Sequence, residues 1–387
     1  MERNTRPLTI AIVAGEASGD ILGAGLIREI RKQHPDARCY GIGGPLMENE
    51  GFESLFPMDR LSVMGLVEVL GRYCELLGIR NQLKDRFIQD QPDLFLGIDA
   101  PDFNLTLEKQ LKASGIATAH YVSPQVWAWR EGRLKKIKES VDHMLTLLPF
   151  EEDYYRDHDV PVTFVGHPLA DQIPMNPDQI QARKSLCVPE EGIVLALLPG
   201  SRKAEVGRLS PLFLDAARLL AKEIPDVKFL IPCANERRKQ QLLLILEHYS
   251  DLDVAVFDRQ AQDVMAASDA ILIASGTAVL EAALHKKPIV VSYKMAPLSF
   301  AIISRLVKVK YVSLPNLLAN RELIPEILQD DATPETLARA VQKSLTDKDY
   351  QASLATDFTD IHHRLKRDAS RLAWNALQTV IEQHAAK

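Results

Sequence analysis

Leu8–Ala14, LTIAIVA, is an unbroken run of apolar and β-branched positions that reads as a strand buried on both faces. Small and acidic residues follow, GEASGD, and then ILGAGLIREIRKQ, whose apolar positions recur at helical spacing. The alternation repeats. Strand-like runs fall at Ala37–Ile42, Asp93–Ile98, Ala117–Val122, Met144–Leu148 and Val162–Val165, with helical patterns between most of them. A second series lies at Ile193–Leu198, Val227–Ile231, Val254–Phe257, Ala270–Ala274 and Pro288–Ser292, spaced by helical stretches such as SPLFLDAARLLAKEI and TAVLEAALHKK. Strands alternating with helices predict βαβ units and a parallel sheet with helices on both faces. The expected architecture is α/β, with two Rossmann-like doubly wound domains facing a cleft. Their expected extents are 1–170 and 171–340, joined by the proline-bearing HPLADQIPMNPDQ. From about Pro334 the pattern is helical and strand-free, and 341–387 is expected as a tail packing back on the first domain.

Composition narrows the class. The chain has 387 residues, 46% of them hydrophobic and 25% charged, enough for two or three domains with sizeable cores. A net charge of −6 argues against bulk nucleic-acid binding and leaves room only for local cationic patches. Cys39, Cys74, Cys187 and Cys233 are far apart with no C-x-x-C spacing, which predicts reduced thiols rather than a disulfide or zinc framework. The first apolar run is too short for a signal peptide, and none reaches the length of a spanning helix. A cytoplasmic protein that touches a membrane only at its surface is expected.

In doubly wound sheets, ligands bind beyond the carboxyl ends of the strands, so the strand-end loops hold the candidate chemistry. The first, Gly15–Asp20, lacks the glycine spacing of a dinucleotide fingerprint. Either its glycines serve only a tight turn, with Ser18 or Asp20 as a helix cap, or small residues let a sugar or lipid acceptor approach. In the second case Ser18 and Glu16 are contacts, and Glu16 is a candidate catalytic carboxylate. Asp99, at the end of DLFLGI, is the leading candidate for a general base, because a carboxylate directly after a buried strand is partly desolvated. Asp102, three residues on, reads equally well as a helix cap. The next loop, HYVSPQVWAWR, gathers hydrogen-bonding and stacking groups suited to sugar or acyl recognition: His120, Ser123, Gln125, Trp127 and Arg130.

In the second half, LLPGSR ends a buried strand on Gly200, Ser201 and Arg202. Open backbone amides and a guanidinium there would grip a phosphate without a Walker motif. Ser275, Gly276 and Thr277 open a helix after AILIA, and Glu281 lies one turn in, where ribose hydroxyls could be held. Together these loops predict a nucleoside diphosphate site, with Asn316 as a further polar contact. No His or Cys cluster has zinc spacing, and the Asp-x-Asp pairs at Asp251 and at Asp347 read as solvated turns. Leaving-group charge is therefore expected to fall to Arg202 and helix termini, with no metal. Finally, LSVMGLVEVLGRYCELLGIRNQL places Val67, Leu70, Tyr73 and Leu77 on a broad apolar arc, either an ordinary core stripe or a lipid-dipping segment. The stretch 300–310 adds apolar and basic groups that suit anionic lipid.

IVAGEASGD, GIDAPDFN, HYVSPQVWAWR, LLPFE, FVGHP, LLPGSR, ASGTAVLE and YVSLPNLL occur in this order between about residues 10 and 320. The series closely resembles the bacterial lipid-A-disaccharide synthase family. The resemblance implies a GT-B-like, inverting, metal-independent glycosyltransferase with no cofactor. It implies that UDP-2,3-diacylglucosamine donates its sugar to 2,3-diacylglucosamine 1-phosphate, giving a β-1,6-linked disaccharide 1-phosphate and UDP. It also implies peripheral association with the cytoplasmic face of the inner membrane; a homodimer is a further expected state. Two rival readings of the same loops are a UDP-sugar epimerase of similar fold and a non-catalytic nucleotide-sugar or lipid-binding module. An epimerised sugar formed without acceptor would mark the first, and UDP binding without product the second.

Overall fold

The computed structural model describes residues 6–61, 66–127, 132–295 and 309–386, with the side chains of 66–71 outside that description. Two compact units emerge, one of Met1–Asp171 with Leu365–Lys387 and one of Gln172–Arg364.

The first unit is built on seven parallel strands in the order β3-β2-β1-β4-β5-β6-β7. These are β1 (Thr9–Ala14), β2 (Arg38–Ile42), β3 (Glu53–Ser54), β4 (Leu94–Ile98), β5 (Thr118–Tyr121), β6 (His143–Thr146) and β7 (Val162–Phe164). Side chains alternate across a strand, and β1 shows the consequence. Ile10 and Ile12 pack on one face with Leu26 and Ile30 of helix α1 (Ala17–Gln33), together with Trp374 of the helix Ala369–Ala385. Ala11 and Val13 face the other way, onto Leu83 and Phe87 of α3 (Leu66–Asp90) and Leu107 and Leu111 of α4 (Pro101–Ala113). Both faces are dry, which is why the strands read as unbroken apolar runs.

The closing helix docks through its start. Asp171 accepts the Asp368 and Ala369 amides at 2.9 and 2.7 Å, and the His167 amide donates to the Leu365 carbonyl at 2.9 Å. Gly166 makes this approach possible: at φ 91° it sits where a Cβ would come 2.6 Å from the Leu365 carbonyl oxygen.

The second unit holds six parallel strands in the order β10-β9-β8-β11-β12-β13. They are β8 (Val194–Leu198), β9 (Lys228–Cys233), β10 (Val254–Asp258), β11 (Ala270–Ala274), β12 (Ile289–Tyr293) and β13 (Glu326–Leu328). Leu209, Phe213 and Leu220 of the helix Lys203–Glu223 share a core with Leu195, Leu197 and Leu272 of the sheet. Leu337 and Val341 of the helix Pro334–Thr346 complete that core, so the segment belonging with the first unit begins at Leu365 rather than at 341.

Two edge strands escape the sequence pattern. Three residues in β13 and two in β3 are too few to show a period. Both sheets share one order, first strand flanked by second and fourth, and therefore each has one crevice where the winding direction reverses. It lies between β1 and β4 in the first unit and between β8 and β11 in the second.

Candidate active site

In the first unit, the loops after β1 and β4 meet at the crevice. A Cβ on Gly15 would come 2.6 Å from the Ala100 Cβ, so glycine is what lets the two loops touch. Glu16 is half-buried in extended backbone at the start of α1, and Ser18 is exposed in its first turn. Asp20 does not cap its own helix. It is buried, and it accepts the Gly44, Leu46 and Met47 amides, each at 3.0 Å, at the start of the neighbouring helix α2 (Pro45–Asn49). Asp102 pairs with Arg133 at 2.5 Å on the surface.

Asp99 is half-buried at the carboxyl end of β4. Its φ is 52° and that of Ala100 is 44°, two consecutive non-glycine residues in left-handed backbone. That conformation costs about 1–2 kcal/mol per residue. The adjacent strand end repeats it: Val122 lies at φ 83°, an outlier for a β-branched residue, and Gln125 at φ 52°. Backbone held against its preference clusters where a chain must aim a group. Here it clusters at the ends of β4 and β5.

The loop after β5 corrects one expectation. His120 is fully buried inside β5, with Nδ1 2.7 Å from Oε1 of an equally buried Glu108, so it presents nothing to a substrate. It lies within β5, all four residues of which are buried. Ser123 is buried as well, 3.0 Å from the Tyr155 hydroxyl. Gln125 is exposed and Trp127 half-buried, while Arg130 lies outside the described residues.

Trp127 stacks edge-on against Phe150, ring centroids 4.7 Å apart, and its Nε1 donates to Glu151 at 3.0 Å. Glu151 is a functional candidate that sequence reasoning passed over, because LLPFE reads as an ordinary acidic first turn. Burial pushes its carboxyl up to about 7, opposed by hydrogen bonds from Trp127, the Leu148 and Leu147 amides and Ser123.

In the second unit, Gly200 sits at φ 109° and Ser201 and Arg202 are exposed at the start of the helix Lys203–Glu223. The loop is closed on itself by Glu205. This carboxylate accepts the Ser201 and Arg202 amides at 3.3 and 3.2 Å and the Arg202 guanidinium at 3.1 Å. A Cβ at position 200 would come 2.6 Å from the Glu205 Oε2, so only glycine lets the carboxylate sit there. The same amides and guanidinium are the donors that an incoming phosphate would seek.

Beyond β11, Gly276 and Thr277 are exposed, Ser275 is half-buried, and a Cβ on Gly276 would meet open space. Glu281 is half-buried, and burial raises its carboxyl above the usual range against a hydrogen bond with Gln262. Asn316 is a second correction. It is fully buried; its Nδ2 donates to the Ile324 carbonyl at 2.9 Å and to Glu326 at 2.8 Å, and its Oδ1 accepts the Leu323 and Ile324 amides. Every polar atom of that side chain holds the turn before β13, which leaves none for a nucleotide.

The apolar arc on α3 divides. Ile79, Leu83 and Phe87 are core, Tyr73 is 54% exposed, and Leu77 is intermediate. The side chains of Val67 and Leu70 lie outside the described residues, as does 300–308. Among the described residues, no helix is long and apolar enough to cross a membrane, and no three His, Cys, Asp or Glu side chains gather as a metal ion would require. Asp251 and Asp253 pair instead with Arg218 and Lys228.

Comparison with known proteins bears on these loops. The family model described as lipid-A-disaccharide synthetase matches residues 10–380. Lipid-A-disaccharide synthase of Pseudomonas savastanoi pv. phaseolicola is 55% identical over 383 residues, 99% of this chain and 100% of its own. That of Pseudomonas putida KT2440 is 55% identical over 375 residues, covering 97% of this chain and 99% of its own. Among solved structures, the UDP-GlcNAc 2-epimerase from Neisseria meningitidis bound to UDP-GlcNAc has a TM-score of 0.67 at 14% identity, with 96% of this chain and 100% of that one covered. The glycotransferase of kitacinnamycin has a TM-score of 0.63 at 16% identity, covering 97% and 99%. At such identities the structural likeness speaks for the fold alone.

Proposed function

Because this chain belongs to the lipid-A-disaccharide synthase family, we propose that its two sets of strand-end loops divide one glycosyl transfer between them. The enzyme is a glycosyltransferase of lipid A biosynthesis, condensing UDP-2,3-diacylglucosamine with 2,3-diacylglucosamine 1-phosphate. Its products are the β-1,6-linked disaccharide 1-phosphate and UDP.

Asp99 takes the proton of the acceptor 6-hydroxyl as that oxygen attacks the anomeric carbon. The bond from this carbon to the diphosphate breaks, its electron pair leaves with UDP, and the anomeric configuration inverts. Glu16, on the loop that touches Ala100, is the second carboxylate of this half. Ser18, Gln125, Trp127 and Arg130 recognise the sugar, while Ser123, buried against Tyr155, holds their loop. In the other half, Gly200, Ser201 and Arg202 hold the diphosphate and stabilise the charge that develops on it. A phosphate on the Ser201 and Arg202 amides replaces the Glu205 carboxylate, one anion exchanged for another. Ser275, Gly276 and Thr277 add amides and hydroxyls, and Glu281 accepts the ribose hydroxyls.

Both substrates carry acyl chains, which supports peripheral contact with the cytoplasmic face of the membrane. Tyr73 and Leu77 of α3, with Val67 and Leu70, carry that contact. The observation behind the reading is Asp99, a carboxylate at the sheet crevice on left-handed backbone. Incubation with both substrates, followed by mass spectrometry and proton NMR, tests it. A β-linked disaccharide 1-phosphate with equimolar UDP is expected. An epimerised UDP-sugar formed without acceptor, or UDP binding without product, would overturn the reading.

A further inference from the structure

Beneath the Asp99 loop lies a patch of buried polar groups that the reaction as described does not use. Asn104, in the first turns of α4, is fully buried. Its Nδ2 donates to the Val13 carbonyl of β1 at 3.1 Å and to the Asp99 carbonyl at 2.8 Å. The Asp99 amide, for its part, donates to the Tyr121 carbonyl of β5 at 2.9 Å. Both peptide groups of Asp99 are thereby tied down, one to a neighbouring strand and one to Asn104.

One helical turn further on, Glu108 pairs with His120 of β5, and both are fully buried. The patch presses on Gly97 of β4. A Cβ there would collide with Glu108 Oε1 and lie 2.8 Å from the Asn104 Cβ. Gly97 pairs in register with His120, so α4, β4 and β5 are locked together at this level. Among the described residues, Asn104 Oδ1, Glu108 Oε2 and His120 Nε2 have no hydrogen-bond partner. Three such orphans in one patch depart from the rule that buried polar atoms are satisfied. An apolar stripe at positions 104 and 108 would pack the helix without them, so packing does not account for these side chains. Departures of this kind collect where a fold serves its site.

We propose that Asn104 is a positioning residue for the transfer, holding the left-handed Asp99–Ala100 backbone so that the Asp99 carboxylate points at the acceptor hydroxyl, with the Glu108–His120 pair as its support. The choice of side chain follows from chemistry. Two carbonyl oxygens converge and need two N–H donors from one short group. Aspartate would set an acceptor against them, and leucine would leave both unmet. The inference rests on Asp99 being the base.

The test uses the full-length enzyme with Asn104→Leu, which matches the shape of asparagine but donates nothing. A small displacement of a catalytic group costs up to about 10²-fold in rate. The expected result is a fall in kcat of about 10–10²-fold, with KM for both substrates and UDP affinity close to wild type, and a lower unfolding midpoint because two buried carbonyls lose their donor. Adding Ala100→Gly, which accepts left-handed backbone freely, should restore part of the lost kcat. If Asn104→Leu does not fold, Asn104→Ser, which keeps one donor, is measured by the same criteria. An unchanged kcat, or losses in KM and UDP affinity as large as the loss in kcat, would overturn the proposal. Asp99→Asn measured alongside separates the two ideas. If it stays active, the assignment of the base fails. If it is inactive while Asn104→Leu keeps its kcat, only the positioning role fails.

Discussion

At the crevice of the first sheet, the loop after β4 carries two consecutive left-handed residues, Asp99 and Ala100, over a fully buried Asn104. At the matching crevice of the second sheet, the loop after β8 carries one such residue, Gly200, and is held from outside by Glu205, whose partner Arg202 is 61% exposed. Strand order is the same in both units, so the contrast lies in how each loop is fixed. The first is fixed by groups that water cannot reach. The second is fixed by a half-buried carboxylate on exposed amides and an exposed guanidinium that another anion can reach. A proton acceptor works only when its direction is preset, whereas donors for a diphosphate must exchange one set of bonds for another. The two crevices have the construction that the proposed division of tasks calls for.

Removing the proposed base should break the comparison most visibly. Asp99→Asn keeps the loop's shape and is expected to lower kcat by about 10²–10⁴-fold, the usual scale for a general base, read in a steady-state assay of UDP release. Wild-type turnover would remove Asp99 from that role.

Next in size is a pH effect confined to the first unit. Glu151 is held at about 7 in the folded chain against an ordinary value near 4.5. Between those pH values the folded form keeps a proton that the unfolded form releases, so folding weakens as pH rises through this window. The cost is absent below about 4.5 and complete above about 7, on the order of 3 kcal/mol at about 1.4 kcal/mol per pKa unit. Denaturant unfolding of wild type and Glu151→Gln at pH 4.5 and 7.5 should show the difference moving in the variant's favour at the higher pH. A difference that stays flat would mean that Glu151 is ionised throughout.

The smallest of the three concerns the second unit. Arg202→Ala removes a charge-assisted contact worth about 1.5–3 kcal/mol. UDP should therefore bind roughly 10–10²-fold more weakly by calorimetry, with little change in unfolding midpoint because the side chain is at the surface.

Much of the frame could be read directly from the chain. The runs LTIAIVA, DLFLGI, VLALL and AILIA are the four strands that bound the two crevices, and they are apolar throughout because helices cover both faces. Their terminal loops therefore stood out. The groups that hold those loops did not. Asn104 and Glu108 occupy the buried stripe of α4 at positions 104, 107, 108 and 111, so two polar residues in an apolar stripe were the available signal. His120 stood out because it opens HYVSPQVWAWR, yet every residue of β5 is buried, since helices cover both faces of the sheet. Asn316 was misread for a different reason: its partners lie seven to ten residues onward, beyond any local pattern.

The central claim, that chemistry belongs to the β4 loop and diphosphate binding to the β8 loop, is tested most directly by measuring UDP affinity calorimetrically in Asp99→Asn and Arg202→Ala side by side. The account predicts wild-type affinity for the first and a loss of at least roughly tenfold for the second, in line with a charge-assisted contact. Equal losses in both variants, or wild-type affinity in Arg202→Ala, would contradict it.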